Sequence, residues 1–202
     1  MIVIFDRQHY GKPGKSDLGA GYDLDQDGNV ELQEREANLT PLYIDPARKM
    51  LEGLGHTVHV LDAGWYSERH KQANAIAAAT EEPVAYLACH INAGRGDYAV
   101  MIHDERSAGG KQLANNLTAA LFDHNPPGIR RFLVRGASAS NAWRRGFSTI
   151  RGIYAGPANI SGVCVEPYFI DHPGHRVLAS PEGGSALAEA LVDGLIQWGH
   201  VA

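Results

Sequence analysis

Two histidines and a few carboxylates in this chain sit where strands would deliver them to one edge of a sheet. His9 follows the apolar run that opens the chain, His90 lies near the end of a second such run, and Glu166 closes another. A hydrolytic zinc site needs about three protein ligands drawn from His and Asp or Glu, with one position open to water. His9 and His90 are natural candidates, and a carboxylate from the long first loop would complete the set. Alone the pair is weak evidence, because the chain has ten histidines.

The elements that must position these groups are legible from periodicity. Short runs rich in Val and Ile, bounded by Gly, Pro or Asp, predict strands over 2–6, 57–61, 84–91, 99–103 and 162–166, with a weaker one over 131–134. Helical patterns fill the intervals at 38–54, 69–79, 107–122 and 184–198; Gly55 stops the first, and Pro41 and Pro46 disturb it. Alternation of this kind predicts a single α/β domain over 1–202, a largely parallel, mixed sheet with helices on both faces. Ligands of such sheets bind beyond the carboxyl ends of the strands. Residues 11–39 have no clear structure of their own, and a loop of that length inside a compact domain is usually functional or mobile.

Composition narrows the function. A chain of 202 residues with 44% hydrophobic and 20% charged residues can bury one sizeable core. A net charge of -5 argues against nucleic acid or an anionic membrane as the main partner. The cluster Arg130, Arg131, Arg135, Arg144, Arg145 and Arg151 could still meet an anionic polymer, although solvated arginines are the blander reading. Cys89 and Cys164 fall in interior strands and read as free buried thiols. No stretch has the length of a membrane-spanning helix.

Several segments, in order, resemble the zinc-dependent N-acetylmuramoyl-L-alanine amidases. Asp6-Arg7-Gln8-His9-Tyr10-Gly11, followed by Asp17-Leu18-Gly19-Ala20, is similar to that family's Asp-x-Gly-His-Gly-Gly turn and Gly-Ala pair. Glu34-Arg35-Glu36-Ala37-Asn38-Leu39 resembles its Glu-Lys-Asp segment, and Arg69 with Ala73-Asn74 fits the helix before its third strand. His90-Ile91-Asn92-Ala93 and the run from Val163 through Glu166 to Ile170 resemble its last two motifs. The resemblance implies zinc bound by His9, Glu34 and His90, and Glu166 as catalytic carboxylate. It implies hydrolysis of the lactyl–L-alanine amide of bacterial peptidoglycan, with a monomer and no nucleic acid or membrane partner expected. Gln8 and Tyr10 replace glycines of the family pattern. Gln8 suggests a turn that needs no positive φ there or tolerates strain, and Tyr10 could line the substrate cleft with Asn92, Trp143 and Arg144. Residues 141–156 have no clear counterpart and read equally as a wall of the cleft or as an ordinary surface helix.

The same loop carries a second motif. Asp23-Leu24-Asp25-Gln26-Asp27-Gly28-Asn29-Val30-Glu31-Leu32-Gln33-Glu34 matches the twelve-residue calcium loop, with acids at the first, third, fifth and twelfth positions and Gly at the sixth. Nothing before Asp23 reads as a helix. Glu34 cannot easily serve both ions; Glu36 is the alternative zinc ligand, with a spacing to Asn38 and Leu39 that fits the amidase pattern less well. The expectation is Glu34 on zinc and an optional calcium site at Asp23, Asp25 and Asp27. A non-enzymatic calcium-binding wall module, or a zinc hydrolase of another amide, are the competing readings. The opening run is too short for a signal peptide, so the expected setting is that of a phage or prophage endolysin, made in the cytoplasm and released onto the wall.

Overall fold

The computed structural model describes residues 1–13 and 17–202. One six-stranded sheet runs through it in the order β2-β1-β3-β6-β4-β5. The strands are β1 (Ile2–Arg7), β2 (Thr57–Leu61), β3 (Val84–Cys89), β4 (Tyr98–Asp104), β5 (Arg131–Ala137) and β6 (Ile160–Glu166). β2, β1, β3 and β6 are mutually parallel; β4 runs antiparallel to β6 and parallel to β5. All six expected strands are present, and the sheet is largely parallel as the alternation implied. The carboxyl ends of β1, β3 and β6 therefore lie on one rim, where β4 begins.

Helices cover both faces because successive residues of a strand point to opposite sides. Val3 and Phe5 of β1 join a core with Leu87, Met101 and Val163 under α2 (Pro41–Gly53), α4 (Ala108–His124) and α6 (Pro181–Gly199). Ile2 and Ile4 join the opposite core with Tyr86, Ile102 and Cys164 beneath α3 (Tyr66–Ala78) and α5 (Arg144–Tyr154). Cys89 and Cys164 thus sit on different faces, both buried and both free thiols.

Proline divides the first predicted helix. A four-residue turn, α1 (Glu36–Leu39), precedes α2, whose first residue is Pro41, a position where the missing N–H costs nothing. Gly55 ends α2 as expected, at φ 84, with its N–H on Glu52 O and that of His56 on Leu51 O. The α5 helix falls in the segment 141–156, for which a surface helix was one of the two readings. Its buried face of Gly146, Thr149, Ile150 and Ile153 packs on the sheet and leaves a polar outer face.

Candidate metal centre and cleft

The turn after β1 places His9. Its backbone is left-handed at φ 64, a conformation uncommon for a residue with a Cβ. Arg69 on α3, fully buried, holds the turn on both sides: its guanidinium donates to Arg7 O and Tyr10 O, to Gly64 O at 3.1 Å and to Asp6 Oδ1 at 2.6 Å. Asp6 Oδ2 accepts from Gln8 and from the Tyr86 hydroxyl. Gln8 is completely buried in this network, and the positive φ values fall instead on His9 and Gly11. Gly11, at φ 67, must be glycine, since a Cβ would come within 1.9 Å of Asp62 O.

His90 is delivered by the end of β3, where its N–H bonds Val165 O of β6 at 2.9 Å and its carbonyl accepts from the Tyr43 hydroxyl at 3.0 Å. Beyond it, Asn92 N bonds Tyr168 O and Ile170 N bonds Asn92 O, both at 2.9 Å, so the β3–β6 pairing continues past the rim. The next register position brings Glu166 beside it, and Asn92 Nδ2 donates to Glu166 Oε2 at 2.5 Å.

The carboxylate beside the two histidines is not the one expected. Glu36, not Glu34, stands between the histidines: Oε1 lies 2.7 Å from His90 Nδ1 and Oε2 lies 3.6 Å from His9 Nε2. Its buried carboxylate also accepts from Ile91 N at 3.0 Å and Ala20 N at 3.1 Å. Glu34 closes a 3-10 turn (Leu32–Glu34), Arg35 is extended, and Glu36 starts α1. That break in backbone direction turns two carboxylates only two residues apart into different surroundings. Glu34 accepts from the backbone N–H groups of Leu24, Asp25 and Glu31 and belongs to the acidic loop.

Among the described residues three groups could hold a metal ion: His9 with Glu36 and His90; Asp23 with Asp25 and Asp27; and Asp25 with Glu31 and Glu34. The first is also the donor set that suits zinc. His9 Nδ1 lies 3.0 Å from Asp17 Oδ1, a partner that fixes the tautomer leaving Nε2 as the electron-pair donor. Nε2 of His90 is buried with no hydrogen-bond partner. In the acidic loop the three aspartates come together as expected, accepting mainly from the loop's own N–H groups, and no helix precedes Asp23 among the described residues.

Charge at the site is mutually adjusted. Burial raises the Glu36 carboxyl, but the hydrogen bond and charge of His90, with His9, hold it below its ordinary value. Burial works against a charged His90, yet Glu36 carries it above the ordinary imidazole value. Burial pushes Glu166 up; His90 and Asn92 oppose the shift and Glu36 adds to it. A carboxyl raised in this way beside a donor cluster is suited to proton transfer.

These groups line a cleft of about 370 Å³ with Tyr66, Asn92, Ala93, Arg145, Gly146, Ser148 and Thr149. Asn92 is there as expected, and residues 141–156 supply a wall as one of the two readings held. The wall residues are not those anticipated. Trp143 packs on the hydrophobic core and Arg144 faces solvent, whereas Arg145 lines the cleft. Tyr10 stacks under the Arg7 guanidinium outside it.

No protein-family model matches the chain, and no curated protein matches it. Solved structures share its fold. The CwlD amidase from Clostridioides difficile, in complex with the GerS lipoprotein, is 17% identical, with TM-score 0.71 over 100% of this chain and 99% of that one. Ami1, the N-acetylmuramyl-L-alanine amidase from Mycobacterium smegmatis, is 20% identical, with TM-score 0.70 over 100% and 98%. The catalytic domain of the CD27L endolysin, targeting Clostridia difficile, is 13% identical, with TM-score 0.65 over 97% and 96%. At these identities the likeness is one of fold.

Proposed function

We propose that this chain is a zinc-dependent N-acetylmuramoyl-L-alanine amidase, hydrolysing the amide between the lactyl group of peptidoglycan glycan and the L-alanine of the peptide stem. The observation that carries the reading is the convergence of His9, Glu36 and His90 beside Glu166 at the floor of one cleft, on a fold shared with such amidases.

His9, Glu36 and His90 would hold the zinc. Bound zinc supplies a Lewis acid and lowers the pKa of a coordinated water toward ~7. Glu166 is the general base for the attacking water and returns the proton to the departing L-alanine amine. Asn92 holds one Glu166 oxygen at 2.5 Å and so orients the other for that transfer. Asp17 keeps His9 in the ligating tautomer, and Arg69 holds the turn that presents it.

The reading extends to a monomeric catalytic domain of the phage or prophage endolysin type, reaching the wall on release from the cytoplasm; the fold is shared alike by the CD27L endolysin domain and by the amidases CwlD and Ami1. Clearing of purified cell walls by wild type, Glu166→Ala and His90→Ala, with and without chelator, tests the chemistry. Loss with each substitution and with chelation, rescue by zinc, and a new L-alanine amino terminus without a new reducing sugar are expected. Glu166→Ala clearing walls at the wild-type rate would sink the assignment. Loss confined to Asp23→Ala and Asp25→Ala would favour a calcium-binding wall module instead, and release of another amine a zinc hydrolase of a different amide.

A further inference from the structure

Arg145 is the one lysine or arginine among the residues lining the cleft, and it has no ion-pair partner among the described residues. Elsewhere Arg69 pairs with Asp6, Arg106 with Asp104 and Arg131 with Asp97; Arg144 and Arg151 on the same helix form no salt bridge among the described residues either, but they do not line the cleft. The exposed guanidinium of Arg145 projects from the first turn of an eleven-residue helix, α5, that has no acidic residue in that turn and no side-chain cap at its start. The helix end therefore adds positive potential to the same wall.

This wall is rigid. His70 Nε2 lies 2.7 Å from Thr149 O, and Asn74 Nδ2 donates to Gly152 O at 3.0 Å, so α3 holds the second half of α5. Thr149, Ile150 and Ile153 are buried beneath it. The remaining ionisable side chains of the cleft are Glu36, Glu166, Tyr66 and the two histidines. With the zinc's charge shared among its own ligands, a second carboxylate of a peptide in this cleft finds its side-chain cation at Arg145.

We propose that Arg145 is a specificity residue that pairs with a free carboxylate of the peptide stem near the scissile amide, so that the cleft prefers acidic stems to amidated ones. The inference rests on the amidase reading above. A planar guanidinium binds a carboxylate through paired charge-assisted hydrogen bonds, which a carboxamide replaces poorly.

The test uses two synthetic muramyl peptides, identical except that the residue after L-alanine carries either a carboxylate or a carboxamide. Zinc-loaded wild type, Arg145→Gln and Arg145→Lys are compared on both. The wild type is expected to show a KM about tenfold lower for the acidic peptide. Arg145→Gln raises that KM about tenfold with kcat within twofold and erases the preference, while Arg145→Lys retains most of it. Equal KM for both peptides in the wild type, or equal losses on both in Arg145→Gln, overturns the proposal and leaves the amidase reading standing. Failure of the wild type to cleave either peptide or to clear walls overturns both.

Discussion

Glu34 and Glu36, two residues apart, serve different clusters: Glu36 Oε1 lies 2.7 Å from His90 Nδ1, while Glu34 accepts from the N–H groups of Leu24, Asp25 and Glu31. The extended Arg35 between a 3-10 turn and α1 separates them. One loop can thus offer a carboxylate to each of two sites without conflict.

Removal of each carboxylate should therefore have a different consequence. Glu36→Ala takes one of three donors from the histidine site, so the protein purified with zinc should lose most of its metal and its wall-clearing activity by at least about 100-fold. Glu34→Ala should keep its zinc stoichiometry. Metal content by elemental analysis checks both, and zinc loss from Glu34→Ala but not from Glu36→Ala would reverse the ligand assignment.

Calcium is expected to bind the acidic loop independently of zinc. Asp25 belongs to both acidic groups, with Asp23 and Asp27 on one side and Glu31 and Glu34 on the other. Calorimetric titration of the zinc-loaded protein with calcium should show one site that Asp25→Ala abolishes without altering zinc content. Absence of heat in the wild type would reduce the loop to a solvated excursion.

The central strands and the strand-end residues were legible because burial on both faces of β1, β3 and β6 writes short, largely apolar runs, and because His9, His90 and Glu166 lie within three residues of those runs. The choice between Glu34 and Glu36 was not. It depends on the bridge between Gly21 and Arg35 and on the Ala20 carbonyl capturing Glu36 N–H at 2.8 Å, contacts across a loop whose composition has no period. The α5 wall was half legible: Trp143 and the arginines marked the segment, but its moderate apolar content hid which arginine turns inward toward the cleft.

Buried Asp6 and Arg69 should be the most stability-sensitive pair near the site. Arg69→Met takes the cation from fully buried Asp6, whose carboxyl burial already raises, and frees Arg7 O and Tyr10 O, at a cost of about 3–5 kcal/mol. Urea unfolding should show a midpoint lowered accordingly. Arg69→Lys, without the forked geometry, should recover only part of it. A change under about 1 kcal/mol in Arg69→Met would mean that the turn holds His9 without this clamp.

The acid limb of the pH–rate profile should follow Glu166. Its carboxyl is raised by burial, and the Asn92 hydrogen bond to Oε2 opposes that shift by favouring the ionised form. A general base must be deprotonated, so activity falls as pH drops through the Glu166 pKa, above the ordinary value of 4.5. Asn92→Ala removes the stabilising donor, raises the pKa further and moves the acid limb of kcat/KM toward neutral pH, while zinc content stays unchanged. The alkaline limb should not move with it. A profile whose acid limb stays in place, or shifts to lower pH, would separate Asn92 from the proton-transfer role and leave it a purely structural tie between β3 and β6.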